Sequence, residues 1–199
     1  MKSISALFLS LLMLGSCGQL YLRMKYDVRS FKPRDTGELT EYLRKHDIRY
    51  DAHYRISEEA FVRQQSSPYK PGWKEGLRPV QVRAFDSTGN MVMQWAICEG
   101  FIDSMETLRR FPPVNEGAFV PAELQEDLKQ YIDASGNVPS AASLTPSDLY
   151  FVVYWSRALG EMSLGSVRPV LRYKEQYPDK RIMILMVSLD PVKGWKKGR

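Results

Sequence analysis

Residues 149–155 read Leu-Tyr-Phe-Val-Val-Tyr-Trp, an almost uninterrupted apolar run that decides the fold. Such a run is typical of a strand that is covered on both faces. A short loop at 156–160 follows, then a helix predicted over 162–176 and a second apolar strand over 182–189. Strand, helix and strand in this order indicate a parallel βαβ unit with a right-handed crossover.

A β-hairpin is predicted upstream of this unit. Two strand-like runs, 80–85 and 91–97, are separated by Asp-Ser-Thr-Gly-Asn at 86–90, whose glycine suits a position of positive φ. A helix over 102–110 should follow, because helical spacing continues until two consecutive prolines stop it.

Four further elements are predicted nearer the N-terminus. Alternation of apolar residues indicates a short strand over 25–31 and a half-buried strand over 48–56. Between them, Asp35 is a candidate cap for a helix that should begin at Thr36 and end near His46. A Ser-Glu-Glu sequence then predicts a short helix over 57–65.

Residues 113–148 are richer in Pro, Ser and Ala, and we interpret them as a connector between two parts. One helix is predicted within it, over 122–134, ended by Gly136. We favour one sheet for the hairpin and the βαβ unit, because an isolated βαβ unit would leave apolar strand surface in water. The alternative is that 24–112 forms a domain of its own and 149–189 packs on it as a fragment.

Composition excludes several classes of protein. The chain has 199 residues, of which 44% are hydrophobic and 26% charged, so it can bury a core and is not a disordered tail. Thirteen Gly and 12 Pro are ordinary frequencies, and two Cys cannot make a disulfide framework. The net charge of +5 is a mild bias that is most concentrated in the last residues, which we interpret as a solvated tail and not as a nucleic-acid site.

The N-terminus has the layout of a secretory signal. A short basic start precedes a mostly apolar run over 4–14 that is too short to span a membrane. The run ends in Leu-Gly-Ser-Cys at 14–17, which resembles the lipobox of bacterial lipoproteins. The resemblance implies a signal peptide over 1–16, and it implies that Cys17 is acylated and becomes the first mature residue. The alternative is an ordinary signal peptide that happens to contain a cysteine.

The lipobox also predicts where the protein acts. Two or three acyl chains on Cys17 would anchor it stably to a membrane, with 17–35 as a tether. Gly18 follows the cysteine where aspartate would favour the inner membrane, so the resemblance implies the outer membrane, facing the periplasm. We therefore expect a lipid-anchored protein of the bacterial cell envelope.

Several short motifs of the C-terminal part belong together: Val-Val-Tyr-Trp at 152–155, Tyr-Lys-Glu-Gln-Tyr-Pro-Asp-Lys at 173–180, Val-Ser-Leu-Asp at 187–190 and Trp-Lys-Lys at 195–197. This arrangement resembles the thioredoxin-like oxidoreductases of the bacterial envelope, the TlpA and ResA type. The resemblance implies a three-layer α/β sandwich, with 149–199 as its βαβ part and 36–112 as its second half. In that family a cis-proline precedes the hairpin, and Pro79 is the candidate for it.

The chain differs from the family at the positions of the two catalytic cysteines. The family places Cys-x-x-Cys at the start of a helix, where the helix dipole and neighbouring amides lower the pKa of a thiol. We aligned the chain once on Trp155 and once on the helix proline, Pro169. Neither alignment finds a thiol at the two cysteine positions: Leu159 and Met162 in the first, Glu161 and Leu164 in the second. Dithiol exchange at this loop is therefore excluded, and because few residues follow the second strand, the fold must be degenerate or permuted.

Other catalytic groups are sparse. Cys98 is the remaining thiol if Cys17 is lipidated; we interpret it as a small buried residue, with a reactive thiol as the alternative. His46 and His53 lack metal-site spacing, although Asp51 and His53 share a strand face that permits a polar pair. We therefore predict no metal, no cofactor and no catalytic triad, and the sequence favours a protein that is not an enzyme.

Two functions remain. We prefer a redox-inactive thioredoxin-like module that binds a polypeptide or protein partner. The family's groove binds the substrate backbone, and this binding could persist after the catalytic thiols are lost. The alternative is a thiol-based oxidoreductase or redox sensor that acts through Cys98. The predicted groove comprises the former active-site loop and the proline opposite it: Pro79, Trp155, Ser156, Arg157, Ala158, Leu159 and Gly160.

Overall fold

Six strands form a single mixed sheet in the computed structural model, which describes residues 27, 29–30, 32–66, 80–96, 106–114 and 121–193. In chain order the strands are β1 (Ala52–Ile56), β2 (Gln81–Asp86), β3 (Met91–Ala96), β4 (Tyr131–Ile132), β5 (Leu149–Trp155) and β6 (Ile182–Ser188). The α-helices of the described residues are α1 (Thr36–Lys45), α2 (Glu58–Ser66), α3 (Leu124–Leu128) and α4 (Glu161–Gln176). The predicted α/β class is thus confirmed.

The βαβ unit forms as predicted. Strand β5 pairs in parallel with β6, Phe151 opposite Ile184, and every residue of both strands is buried. Helix α4 connects them and packs Leu164 and Val167 into the core of one sheet face. The strands are buried on both faces because helices lie on each, which explains why their sequences show no alternation.

The hairpin and the βαβ unit share one sheet, which confirms the prediction that they are continuous. Strand order is β3-β2-β5-β6-β1-β4, and β2 runs antiparallel to β5. At the hairpin turn Gly89 has a φ of 87°, and the Asp86 carboxylate accepts hydrogen bonds from the amides of Thr88 at 2.9 Å and Asn90 at 3.0 Å. The turn chemistry read from the sequence therefore sets the register.

The predicted helices that flank β1 also form. The Asp35 carboxylate accepts the Glu38 amide at 2.7 Å and so caps α1. At the start of α2, the Ser57 hydroxyl accepts the Ala60 amide at 3.2 Å. Strand β1 begins only at Ala52, later than predicted, because the Ile48 amide still donates to the Leu43 carbonyl and closes the end of α1.

The helix predicted over 122–134 is wrong in extent. Helix α3 ends at Leu128, and three residues later the chain enters β4, where Tyr131 pairs with Ile56 of β1. Leu124, Leu128 and Tyr131 have helical spacing, yet pairing and burial of Tyr131 in the sheet prevail over that periodicity.

Two other predictions fall partly outside the described residues. Of the strand predicted over 25–31, the described residues 27, 29 and 30 are not in a strand. Of the helix predicted over 102–110, the described part has a 3₁₀ turn at Glu106–Arg109.

The sheet separates two cores. One lies under α1 and α4, where Leu39, Leu43 and Val170 are fully buried. The other lies under α2 and α3 and includes Leu128 and Leu144. Residues of 113–148, which the sequence suggested as a connector, thus supply a sheet strand and part of the second core.

A buried ion pair joins this segment to the sheet. Arg83 Nη1 donates hydrogen bonds to both oxygens of the Asp127 carboxylate, at 2.6 and 2.8 Å. The Tyr154 hydroxyl donates to the same carboxylate at 3.0 Å. The Tyr131 hydroxyl contacts the same carboxylate at 3.3 Å and bonds to the Tyr154 hydroxyl. Burial raises the pKa of both tyrosines, so they remain protonated and can donate.

Removing this carboxylate should make the folded protein less stable. In Asp127→Ala the Arg83 guanidinium would stay buried without its counter-charge, so we expect the free energy of unfolding to fall by about 3 kcal/mol in urea titrations. Glu126→Ala, on the neighbouring exposed position, is the matched control and should cost less than about 1 kcal/mol. Equal losses in the two variants would contradict a structural role for the pair.

Candidate functional site

The loop at 156–160 lies where two parallel strands end. It follows Trp155, the last residue of β5, which is paired with Ser188, the last residue of β6. A 3₁₀ turn at Arg157–Leu159 and Gly160, with a φ of 53°, lead into α4. In open α/β sheets, the carboxyl ends of parallel strands are the edge at which ligands bind.

A buried carboxylate holds this loop. Asp190, two residues beyond β6, is fully buried, and its carboxylate accepts the backbone amides of Arg157 at 2.6 Å and Ala158 at 3.3 Å. It also accepts the hydroxyls of Ser156 at 3.0 Å and Ser188 at 3.2 Å. The 3₁₀ turn is therefore anchored to the end of β6.

Arg34 supplies the positive charge beside this carboxylate. Its Nε lies 3.6 Å from Asp190 Oδ1, and its guanidinium also pairs with Glu38 of α1. The Arg34 amide donates to the Pro191 carbonyl at 2.8 Å, which holds the segment before α1 against the chain after β6. Burial raises the pKa of Asp190, whereas the hydrogen bonds from the loop and the Arg34 charge act in the opposite direction.

Aromatic rings form a layer beside the loop. Trp155 is fully buried, and the Tyr42 ring from α1 stacks on it at a centroid distance of 6.0 Å. The Arg157 guanidinium lies 4.0 Å from the Tyr42 ring centroid and pairs with Asp27 at 3.0 Å. The His53 ring also lies near Trp155, at a centroid distance of 5.9 Å.

Several buried polar atoms around this layer find no hydrogen-bond partner in the described part of the chain. They are Trp155 Nε1, Tyr42 Oη, His53 Nε2 and two nitrogens of Arg34. Unpaired buried polar groups are rare in folded proteins, and each costs about 1–3 kcal/mol. These atoms lie close to the carboxyl end of the parallel strands, and because each is buried, none is accessible to a ligand in this conformation.

The rim of the site carries both positively and negatively charged side chains. Arg157 and Leu159 are partly exposed, whereas Ser156, Ala158 and Gly160 are buried. At the start of α4, the Glu161 carboxylate lies 3.1 Å from His46 Nδ1 and accepts Arg168 at 2.9 Å.

The structure also locates the other candidate residues. The polar pair between Asp51 and His53 does not form, because the Asp51 carboxylate instead accepts Lys174 at 2.8 Å and the Ile184 amide at 2.7 Å. His53 is mostly buried on β1, which lies between β6 and β4 in the sheet. Cys17, Pro79 and Cys98 lie outside the described residues, and their predicted roles remain predictions.

Sequence reasoning missed Asp190 and Arg34 as site residues. An aspartate directly after an apolar strand was the available signal for Asp190, since such positions lie at the ligand-binding edge of a parallel sheet. Arg34 carried no such signal, because its partner lies more than a hundred residues away in the chain.

The described residues hold no group of three or more His, Cys, Asp or Glu arranged to bind a metal ion. No helix in that part of the chain is long and apolar enough to cross a membrane. No protein-family model matches this sequence, and no curated protein and no solved structure matches it either.

His53 should make the stability of the fold depend on pH. Burial, with a smaller effect of the Arg55 charge, lowers the pKa of His53 from 6.5 to about 4. The unfolded chain therefore binds a proton more readily, so stability is complete above pH 6.5 and falls as the pH drops towards 4. We expect His53 to lower the free energy of unfolding by about 3 kcal/mol over this pH range, as measured by urea unfolding.

The variant His53→Phe should lack this part of the pH dependence, whereas His46→Phe should retain it. Parallel stability profiles of the wild type and His53→Phe between pH 7 and 4 would contradict a buried neutral His53.

Proposed function

We propose that this chain is a lipid-anchored protein of the bacterial cell envelope whose thioredoxin-like module does no thiol chemistry and binds a polypeptide partner. Its binding surface would be the loop at 156–160 with the adjoining start of α4. The anchor is proposed from the lipobox ending at Cys17, and the placement on the outer membrane, facing the periplasm, from Gly18.

The strand arrangement supports a permuted thioredoxin-like fold. A βαβ unit and an antiparallel hairpin share one sheet, and the hairpin lies beside β5, the strand that leads into the helix. The family to which the sequence motifs are similar has these parts with the hairpin after the βαβ unit. Here β2 and β3 precede β5 in the chain, which a permuted connection explains.

One observation carries the proposal that the loop is redox-inactive, namely the Asp190 carboxylate bound to the amides of Arg157 and Ala158. In a thiol enzyme, amides at such a loop help to stabilise the thiolate and lower its pKa. Here the two amides already serve a buried carboxylate. A thiolate placed nearby would meet a negative charge, which raises a thiol's pKa and disfavours its attack.

The same loop suits the binding of a polypeptide. A peptide backbone presents carbonyl acceptors, and the partly exposed Arg157 guanidinium can donate hydrogen bonds to them. Leu159 adds a partly exposed apolar side chain and Arg157 a partly exposed cation. Because the turn is already held in one conformation, binding would not carry the entropic cost of ordering it.

In-cell crosslinking tests this proposal. A photoreactive amino acid replacing Leu159 should capture a recurring protein in intact cells, whereas the same group replacing Lys129, on the opposite sheet face, should not. Adding Arg157→Glu to the Leu159 probe should reduce the yield about tenfold, because it puts a negative charge beside Asp27 and Asp190.

A photoproduct that also forms from position 129, or one that is unchanged by Arg157→Glu, would contradict binding at this loop. Recovery of nothing above background from position 159 would also contradict it. In either case the fold and the Asp190 network would stand without the proposed function.

A further inference from the structure

The chain's own N-terminal segment lies against the loop at 156–160. The backbone amide of Arg29 donates a hydrogen bond to the Ala158 carbonyl at 2.7 Å. The Asp27 carboxylate pairs with the Arg157 guanidinium at 3.0 Å and accepts Nε of Arg29 at 2.6 Å. We call the described residues 27, 29 and 30 the strap. The strap therefore engages a carbonyl and the guanidinium of the loop.

The strap contacts the loop in the way a bound peptide would. A main-chain amide that donates to a backbone carbonyl is the contact through which extended peptides attach to proteins. A carboxylate on a guanidinium makes a charge-assisted contact, about twice as strong as a neutral hydrogen bond. Asp27 and Arg29 are two positions apart, so the loop recognises a carboxylate and, two residues later, a main-chain amide.

The strap is attached less firmly than the residue that follows it at position 34. Arg34 is buried, its amide donates to the Pro191 carbonyl at 2.8 Å, and its carbonyl accepts the Lys193 amide at 3.3 Å. By contrast, Arg29 is exposed, and the Asp27 side chain retains 34% of its accessible surface. Segments with few buried contacts open locally at low free-energy cost. The strap can therefore leave the loop while Arg34 keeps its place.

We propose that the strap is an intramolecular ligand of the loop, and that a segment of the partner binds by displacing it. The inference rests on the proposed function, since it requires that the partner binds at 156–160. The displacing segment would be extended and would carry a carboxylate for Arg157 and a main-chain amide for the Ala158 carbonyl. A segment without the carboxylate would break the pair between Asp27 and Arg157 without replacing it, so its binding is disfavoured.

The covalent connection gives the strap an advantage over any other segment. Because the strap and the loop belong to one chain, the effective concentration of the strap at the loop is high. The loop is open to a partner only in the fraction of molecules whose strap has left, and the partner's apparent affinity is reduced by that fraction. Weakening the strap should therefore strengthen partner binding.

A peptide-binding experiment tests the strap without the partner. The probe is a fluorescent peptide of residues 24–33 of this chain, titrated with purified full-length protein in detergent. In the protein variant Asp27→Lys a cation faces Arg157, which should release the strap. We expect the peptide to bind this variant at least about tenfold more tightly than the wild type, in which the strap competes. The same peptide carrying Asp27→Asn should bind the variant at least about tenfold more weakly.

Two further variants serve as controls. Asp179→Lys makes the same charge change at an exposed position before β6, away from the loop, and should leave the affinity at the wild-type level. Asp27→Asn in the protein removes the charge without adding one, and should strengthen peptide binding partially. Circular dichroism of each variant reports whether it is folded.

In-cell crosslinking then connects the strap to the partner. Adding Asp27→Lys to the Leu159 probe should raise capture of the partner at least about threefold, because more molecules have an open loop. Yields are normalised to the amount of the protein in the membrane fraction. Adding Asp179→Lys instead should leave the yield unchanged.

Two results would overturn the inference. One is equal affinity of the peptide for the wild type and Asp27→Lys, or binding to neither. The other is partner capture that Asp27→Lys leaves unchanged, and in that case the proposed function would stand. Tighter peptide binding to Asp27→Lys, with nothing captured from position 159 in either protein, would instead support the strap as a ligand of the loop and overturn the proposed function.

Discussion

The buried carboxylate of Asp190 is the constraint on which the site depends. A charge removed from water is costly unless hydrogen bonds and an opposite charge compensate it. Here the two loop amides, two serine hydroxyls and the Arg34 guanidinium do so. These groups come from three stretches of the chain, so the one carboxylate orders the loop, the end of β6 and the segment before α1 together.

A second buried carboxylate has the same effect on the other face of the sheet. Asp127 binds Arg83 of β2 and the hydroxyls of Tyr131 and Tyr154, and thereby joins α3 and β4 to the hairpin and to β5. Since buried ion pairs contribute little net stability but are costly to break, we infer that both pairs chiefly specify which segments come together. In a sheet whose neighbouring strands are far apart in the chain, such specificity keeps distant segments in register.

The predictable part of the fold was the part determined by local pattern. The apolar strands β5 and β6, the helix between them and the Gly89 turn could all be read from residues near in sequence. The end of helix α3 could not be predicted in this way. Tyr131 continues the helical spacing of Leu124 and Leu128, although in the structure it is a residue of strand β4. The order of the strands was open as well, and only pairing of β2 with β5 settled it.

The candidate site was predictable in position but not in chemistry. The loop after Trp155 and the absence of thiols there are plain in the sequence, whereas the contacts of Arg34 with Asp190 join residues more than 150 positions apart. Long-range pairs of this kind leave no periodic pattern. The partner-free polar atoms of Tyr42, His53 and Trp155 likewise become visible only when the three rings are brought together.

Amide hydrogen exchange in the variant Asp190→Asn tests the central claim most directly. If the carboxylate holds the loop, the amides of Arg157 and Ala158 should exchange at least about tenfold faster than in the wild type. The exposed substitution Asp179→Asn should leave them protected. Unchanged protection of these two amides in Asp190→Asn would contradict the account.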